Sequence, residues 1–218
     1  FEGLKALDDV SLTVSDNGIF GLLGPNGAGK TTFFNAITGF TTPTGGSVHF
    51  FGKDVTKLNA TAHCEEGMAR TFQNIRVFGQ MTVLENVLVG MHKNFKTNVF
   101  GIFLKLGAQK KEEKEAVEKA QEILDFLEIG DTAYEIAGSL PYGTQRKVEI
   151  ARALASDPRM LLLDEPTAGM NEQEKDDLMM LIDEIRRRGT AIIVIEHNIK
   201  FMLSLCDQIA VLDFGKLI

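Results

Sequence analysis

One stretch of the sequence has the residue types and spacing of a phosphate-binding loop: Gly24-Pro25-Asn26-Gly27-Ala28-Gly29-Lys30-Thr31. An apolar run precedes it and a helix start, which includes Thr32, follows it, as such a loop requires. Glycines allow a tight turn whose backbone N–H groups point at one anion, and the helix N-terminus adds partial positive charge. We expect Lys30 to reach the β- and γ-phosphates of a nucleotide and the Thr31 hydroxyl to hold Mg²⁺. The alternative is a glycine-rich turn with a chance lysine.

A second candidate is the apolar run Met160-Leu161-Leu162-Leu163, which ends in the two acids Asp164 and Glu165. In an open α/β sheet, ligands bind at the carboxyl ends of the strands. We therefore expect Asp164 and Thr31 to meet at one Mg²⁺, directly or through a water. Glu165 would then face the γ-phosphate and polarise the attacking water. The alternative is an ordinary acidic turn after a strand.

Two further polar residues follow predicted strands. His197 comes after the apolar strand Ala191–Ile195 and is a candidate sensor of the γ-phosphate, although a histidine at a strand end is often only a surface residue. Gln73 ends another strand, and its amide is a candidate contact for Mg²⁺ or for the attacking water. The alternative for Gln73 is a solvated side chain.

A second anion site is predicted at Leu140-Pro141-Tyr142-Gly143-Thr144-Gln145-Arg146, which opens a helix after a glycine. The chain has a single nucleotide loop. We therefore expect this second helix N-terminus to serve a nucleotide that is bound by another copy. The alternative is an ordinary helix start.

The elements that must position these residues alternate between apolar strands and amphipathic helices. This alternation is typical of a parallel sheet covered on both faces, and so of an α/β fold. The predicted strands are 7–14, 18–23, 47–51, 68–73, 160–164, 190–196 and 208–213. The predicted helices around them are 32–37, 56–66, 144–155, 172–188 and 198–205.

The region 74–142 is predicted to be a helical subdomain inserted into a nucleotide-binding α/β core of residues 1–73 and 143–218. Thr82–Met91 has an apolar face with Thr82 as its N-cap, and Lys110–Leu127 is strongly amphipathic. The apolar segments Ile75–Met91 and Val99–Leu106 are the candidate surface for a partner protein.

Composition limits the possible functions. The chain has 218 residues and a net charge of −7, which argues against nucleic-acid binding, because such binding needs a basic face. Cys64 and Cys206 have neither metal-ligand spacing nor a disulfide pattern, so we expect a reduced, cytosolic compartment. No apolar run approaches the roughly 18–20 residues that a membrane span needs.

Taken together, the motifs resemble those of the ATP-binding-cassette (ABC) ATPases in order and spacing over essentially the whole chain. This resemblance implies a P-loop NTPase (RecA-like) core with a parallel sheet, an N-terminal antiparallel β portion and the inserted α-helical subdomain. It also implies ATP and Mg²⁺ as cofactors, and a head-to-tail dimer in which each ATP lies between the loop of one subunit and the Leu140–Arg146 signature of the other. By the same resemblance, Phe1 stacks on adenine and Ala168-Gly169-Met170-Asn171 contacts the opposite site.

Arg70-Thr71-Phe72-Gln73 and the Leu140–Gly143 segment further resemble the ATP-binding subunit of branched-chain amino-acid importers. That subgroup implies a homodimer, or a heterodimer with a second ABC subunit, on the inner face of the cell membrane. Its partners would be transmembrane permease subunits and, indirectly, an extracytoplasmic substrate-binding protein, with no nucleic acid.

The signature departs from the usual Leu-Ser-Gly-Gly-Gln. Pro141 and Tyr142 replace the serine and the first glycine, and Thr144 replaces the glutamine, so the serine hydroxyl contact across the dimer is absent. Three alternatives stay open: a lipid or lipopolysaccharide exporter ATPase, a soluble P-loop kinase, and a cassette protein of DNA repair or translation.

Overall fold

The structure, a computed structural model, describes residues 5–93 and 110–218, and Phe1 and Val99–Leu106 lie outside these ranges. The strands are β1 (Ile19–Leu23), β2 (His49–Phe50), β3 (Lys53–Asp54), β4 (Met68–Arg70), β5 (Met160–Asp164), β6 (Ala191–Glu196), β7 (Gln208–Asp213) and β8 (Lys216–Leu217). The helices are α1 (Lys30–Ile37), α2 (Ala60–Glu66), α3 (Val83–Gly90), α4 (Lys110–Phe126), α5 (Tyr142–Leu154), α6 (Glu172–Arg187) and α7 (Ile199–Leu205).

A six-stranded sheet in the order β4-β5-β6-β1-β7-β8 carries the candidate site. Strands β4, β5, β6, β1 and β7 pair in parallel, and only β8 pairs antiparallel, with β7. The register places Leu23 opposite Glu196, and Asp164 opposite Ile195. The loop after β1, the acids at the end of β5 and His197 after β6 therefore lie at the same, carboxyl-terminal edge of the sheet.

The apolar runs predicted as strands are buried. All residues of β5 and β6 are buried, which is why these sequences are apolar without alternation. The hydrophobic cluster that positions the loop joins β1, β5 and β6 to α1 through Leu22, Leu162, Ile193 and Phe34. Phe34 and Leu22 are fully buried.

The predicted strand over residues 7–14 is wrong, because the segment forms no strand. Its alternation is nevertheless real: Val10, Leu12 and Val14 are half-buried against the core, and the residues between them are exposed. One-sided packing therefore explains the pattern without a partner strand. The predicted strand 47–51 shortens to β2, because Phe51 (φ 46°) and Gly52 (φ 81°) turn the chain back into β3.

The chain divides into two compact units, one of residues 1–73 and 159–218 and the other of residues 74–158. Within the second unit, α3 packs against α4 and α5. Thr82 caps α3 in a capping box with Glu85, as predicted for the N-cap. The subdomain boundary predicted between residues 142 and 143 stays a prediction. In the structure, α5 spans that position and lies within the second unit. No helix in the described ranges has the length and apolarity to cross a membrane.

Candidate functional site

The glycine loop closes on its own lysine. The buried Lys30 ammonium donates hydrogen bonds to the carbonyl oxygens of Gly24 at 2.7 Å and Pro25 at 2.9 Å. Gly29, at φ 104°, leads the backbone from the loop into α1. Because an ammonium group has three protons, Lys30 can hold the loop and still donate to an anion.

Gly24 is required by a close approach of two backbone segments. A Cβ at Gly24 would lie 2.2 Å from the Leu212 carbonyl oxygen in β7, a distance that forces the backbone to shift. The loop therefore rests directly on the neighbouring strand.

Replacing Gly24 by alanine is expected to lower the free energy of unfolding by about 1–3 kcal/mol, the usual cost of overpacking. Urea unfolding measures the change, and Gly45→Ala is the matched control, because a Cβ at Gly45 has nothing within 4 Å. The control should stay within about 0.5 kcal/mol of the unchanged protein. Equal stability of the two variants would contradict the close contact.

The carboxylate of Asp164 is buried and paired. Arg70 Nη2 donates to Asp164 Oδ2 at 2.8 Å, and both side chains are less than a tenth exposed. The Asp164 backbone N–H lies 3.4 Å from the Thr71 hydroxyl. Asp164 is thus fixed at the end of β5, where the sequence predicts a metal ligand.

Glu165 follows Asp164 and occupies a left-handed backbone conformation, with φ at 45°. Its N–H donates to the Ile195 carbonyl at 2.9 Å, which holds this conformation against β6. Gln73 Nε2 donates to Glu165 Oε2 at 2.9 Å. The structure therefore brings together the predicted water-polarising acid and the Gln73 amide. The predicted strand 68–73 is too long, because β4 ends at Arg70, so Gln73 lies three residues beyond the strand.

His197 lies beside the same carboxylate. Its Nδ1 is 4.0 Å from Glu165 Oε2 and 3.8 Å from Glu196 Oε2, both longer than a hydrogen bond. The imidazole is largely exposed, at 63%. Such a side chain is open to a ligand at the sheet edge, which suits the predicted sensor role.

A residue that sequence reasoning missed anchors this cluster. The Glu196 carboxylate is fully buried and accepts the Thr167 N–H at 2.9 Å, the Thr167 hydroxyl at 2.5 Å and the His197 N–H at 3.1 Å. These bonds tie the segment after Glu165 to the end of β6. The sequence signal that could have identified Glu196 is its position, a charged residue at the end of an otherwise apolar strand.

The donor set suits magnesium. A threonine hydroxyl at Thr31, a carboxylate at Asp164 and an amide at Gln73 are oxygen ligands of the kind that Mg²⁺ prefers. No cluster of three or more His, Cys, Asp and Glu side chains is placed to hold a metal in residues 5–93 and 110–218. Oxygen ligands of this kind suit a hard cation better than zinc, which is bound mainly by nitrogen and sulfur ligands in proteins.

The signature helix α5 begins at Tyr142, two residues earlier than predicted, with Pro141 as an N-cap that makes no side-chain hydrogen bond. Gln145 Nε2 instead donates to the Leu140 carbonyl at 2.8 Å. Tyr142 is 43% exposed, and Gly143 and Thr144 are partly exposed. The first turn of this 13-residue helix is therefore accessible to an anion.

The interior of the signature helix is held by a buried ion pair. Arg146 Nη1 donates to Glu149 Oε2 at 2.7 Å, and neither side chain is more than 1% exposed. Glu149 Oε1 also accepts the Arg76 N–H at 3.2 Å. The start of α5 is thereby joined to the chain that follows Gln73.

Two other predicted features have a defined place. Asn171, at the end of the Ala168–Asn171 segment, caps α6 through the Glu174 N–H at 3.0 Å. Burial, with the Asp207 charge, raises the pKa of the Cys206 thiol to about 12, so this cysteine stays protonated at neutral pH. An inert thiol agrees with a structural role for Cys206.

Comparisons with known proteins show the family of the chain. The family model of the ABC transporter matches residues 7–168. The chain is 42% identical over 216 residues to the high-affinity branched-chain amino acid transport ATP-binding protein BraF of Pseudomonas aeruginosa, and the match covers 99% of this chain and 85% of BraF.

Two solved structures resemble the fold. The ADP conformation of an ATP-binding cassette of an ABC transporter superposes with a TM-score of 0.86 at 37% identity, covering 100% of this chain and 85% of that one. A dimeric post-hydrolysis cassette bound to ADP and Pi superposes with a TM-score of 0.81 at 27% identity, covering 98% and 89%.

Proposed function

Because the chain belongs to the ABC transporter family and is an ATPase of that family, we propose that it powers the uptake of branched-chain amino acids. The observation that carries the proposal is the set of catalytic groups at one sheet edge: the Lys30 loop, the Asp164 and Glu165 pair, and Gln73 bonded to Glu165. The identity to BraF supports the choice of cargo.

In the proposed chemistry, Lys30 and the loop N–H groups bind the β- and γ-phosphates of ATP. Thr31, Asp164 and Gln73 would hold Mg²⁺, which neutralises phosphate charge when it is bound. Glu165 polarises the attacking water, and its hydrogen bond to Gln73 places the carboxylate at the strand edge.

His197 senses the γ-phosphate from the end of β6, as its exposure and its place beside Glu165 allow. The buried Glu196 accepts N–H groups from this histidine and from Thr167, and so fixes the two segments relative to each other. Loss of the γ-phosphate would therefore change the contacts at the ends of β5 and β6 together.

Two subunits assemble head to tail in the proposed cycle, as a homodimer or with a second ABC subunit. Each signature helix directs its exposed first turn at the γ-phosphate of ATP bound by the other subunit. Because Pro141 supplies no hydroxyl, Gly143 and the helix N-terminus make that contact. ATP holds the dimer closed, and hydrolysis releases it. The dimeric cassette with ADP and Pi supports such an assembly.

In the complete transporter, this chain would lie on the cytoplasmic face of the membrane, against transmembrane permease subunits. An extracytoplasmic binding protein would deliver the substrate to those subunits. In the second unit, Phe78 and Ile136 are 49% and 44% exposed, although both are apolar. Arg152 stacks on the Phe78 ring at 5.3 Å. These side chains belong to, or lie beside, the predicted partner surface of Ile75–Met91.

A charge on this surface is expected to uncouple transport from hydrolysis. Phe78→Glu should lower transport by roughly tenfold or more, as truncation of an interface hot spot does, and basal ATPase should stay within about twofold. Both are measured in proteoliposomes with the permease. Met180→Glu is the matched control, because Met180 is an exposed apolar residue of the other unit. Normal transport by Phe78→Glu would remove Phe78 from the partner surface.

The cargo is tested with the reconstituted transporter. ATP-dependent accumulation of leucine, isoleucine or valine, blocked by EDTA, is expected. Extraction of lipid without amino-acid uptake would instead identify the chain as the ATPase of a lipid exporter. Phosphate transfer to an added small molecule, with no release of free phosphate, would instead identify a kinase.

A further inference from the structure

Arg70 is the last residue of the edge strand β4 and has no role in the chemistry described so far. Its guanidinium bonds Asp164 Oδ2 at 2.8 Å, Asn35 Oδ1 at 2.8 Å and the Thr38 hydroxyl at 3.3 Å. One planar group thus links the acid at the end of β5 to the helix that follows the phosphate loop.

The sheet register explains how Arg70 reaches Asp164. Arg70 in β4 lies opposite Leu162 in β5, and Asp164 is two residues further along β5. Side chains two residues apart on a strand point to the same face, so Arg70 and Asp164 share the face that α1 covers. The Asn35 contact is on that helix.

The surroundings hold the guanidinium in place. Its central carbon lies 5.3 Å from the ring centre of Phe34, 5.6 Å from that of Phe40 and 5.1 Å from that of Phe72. Arginine combines a planar fork of donors with the ability to stack on rings, whereas lysine presents only a point charge. The site therefore suits arginine in particular.

The α1 contacts lie on the stripe that carries a proposed metal ligand. Asn35 is four residues after Thr31, and Thr38 is seven residues after it, so all three follow one face of the helix. At Asp164, the guanidinium takes Oδ2 and leaves Oδ1 to a cation. Arg70 is thus connected to Asp164 directly and to Thr31 through α1, and these are two of the three proposed oxygen ligands for Mg²⁺.

We propose that Arg70 is a positioning residue of the magnesium site, which fixes Asp164 and the helix carrying Thr31 in one arrangement before the ion binds. This inference rests on the proposed function, which assigns Thr31 and Asp164 to the ion. In this proposal Arg70 acts only through Asp164 and α1. Its loss should weaken the response to Mg²⁺ and leave the phosphate loop unchanged.

The test measures nucleotide binding, so that it is independent of turnover. A fluorescent ADP analogue is titrated into the purified chain in EDTA and at rising Mg²⁺ concentration. For Arg70→Gln, we expect the half-saturating Mg²⁺ concentration to rise about 10- to 100-fold, as when an outer-shell partner of a metal ligand is lost. The dissociation constant in EDTA should stay within about twofold, because Lys30 and the loop are intact. Arg70→Lys should give an intermediate Mg²⁺ requirement.

Arg159→Gln is the matched control, because Arg159 in the same unit also stacks on two phenylalanines, Phe50 and Phe51. Its Mg²⁺ requirement should not change. If Arg70→Gln does not fold, Asn35→Leu gives the answer. It removes the bond from Arg70 to Asn35 and leaves the bonds to Asp164 and Thr38. A rise of about three- to tenfold is expected, at or below the low end of the outer-shell range.

An unchanged Mg²⁺ requirement in folded Arg70→Gln, or in Asn35→Leu when the first variant is unfolded, overturns the proposal and leaves the proposed function standing. Equal weakening in EDTA and in Mg²⁺ would show a purely structural role and also overturns it. If the unchanged protein binds the ADP analogue equally well with and without Mg²⁺, the magnesium site itself is removed from the proposed function, and this inference with it.

Discussion

Replacing Glu165 by glutamine is expected to slow ATP hydrolysis by roughly 100- to 10,000-fold, the contribution of a positioned general base. The amide keeps the shape of the side chain but cannot take a proton from water. Binding of ATP should remain near normal, because the loop and Lys30 are untouched. ATP would then stay in place, and the dimer should accumulate.

Two measurements check this expectation, phosphate release and the mass of the protein by light scattering on a sizing column with ATP. Glu172→Gln is the matched control, because Glu172 is an exposed acid of the same unit that pairs with Lys175. The control should hydrolyse ATP and elute like the unchanged protein. Turnover at the normal rate in Glu165→Gln would take the water-polarising role away from Glu165.

Replacing Lys30 by alanine is expected to weaken ATP binding by roughly 10- to 150-fold. A charge-assisted hydrogen bond contributes about 1.5–3 kcal/mol, and the one ammonium proton that the loop carbonyls leave over would make one such bond to a phosphate oxygen. The variant also loses the two bonds from Lys30 that close the loop on the Gly24 and Pro25 carbonyls. The binding site would thus lose charge and order together.

Equilibrium titration with a fluorescent ATP analogue measures the change in dissociation constant. Lys53→Ala is the matched control, because Lys53 is an exposed lysine of the same unit that pairs with Glu66. Its affinity should match that of the unchanged protein. If Lys30→Ala binds ATP with an unaltered dissociation constant, the phosphate-loop assignment is contradicted.

The elements that could be predicted are those whose pattern depends on local surroundings. The runs that became β5 and β6 are apolar throughout because both faces are covered, so the sequence alone identifies them. The phosphate loop is equally local, since its glycines and lysine act within eight residues. The segment 7–14 misled because half-burial produces the same alternation with or without a partner strand.

Contacts that depend on strand order could not be predicted. Arg70 and Asp164 are 94 residues apart, and only the placement of β4 beside β5 makes them neighbours. Glu196 reaches Thr167 for a similar reason. The shared neighbourhood of Gln73 and Glu165 could be expected at a sheet edge, but the hydrogen bond between them needed the three-dimensional arrangement.

The backbone at Glu165 has an evolutionary consequence. A side chain other than glycine in the left-handed region costs about 1–2 kcal/mol, and asparagine and aspartate tolerate it better than glutamate does. With φ at 45°, the position is occupied by a residue that its own main chain disfavours. In a duplicated copy that is freed from selection for activity, a change of Glu165 to glycine or asparagine would relieve this backbone strain. Such a copy would lose the carboxylate and become more stable.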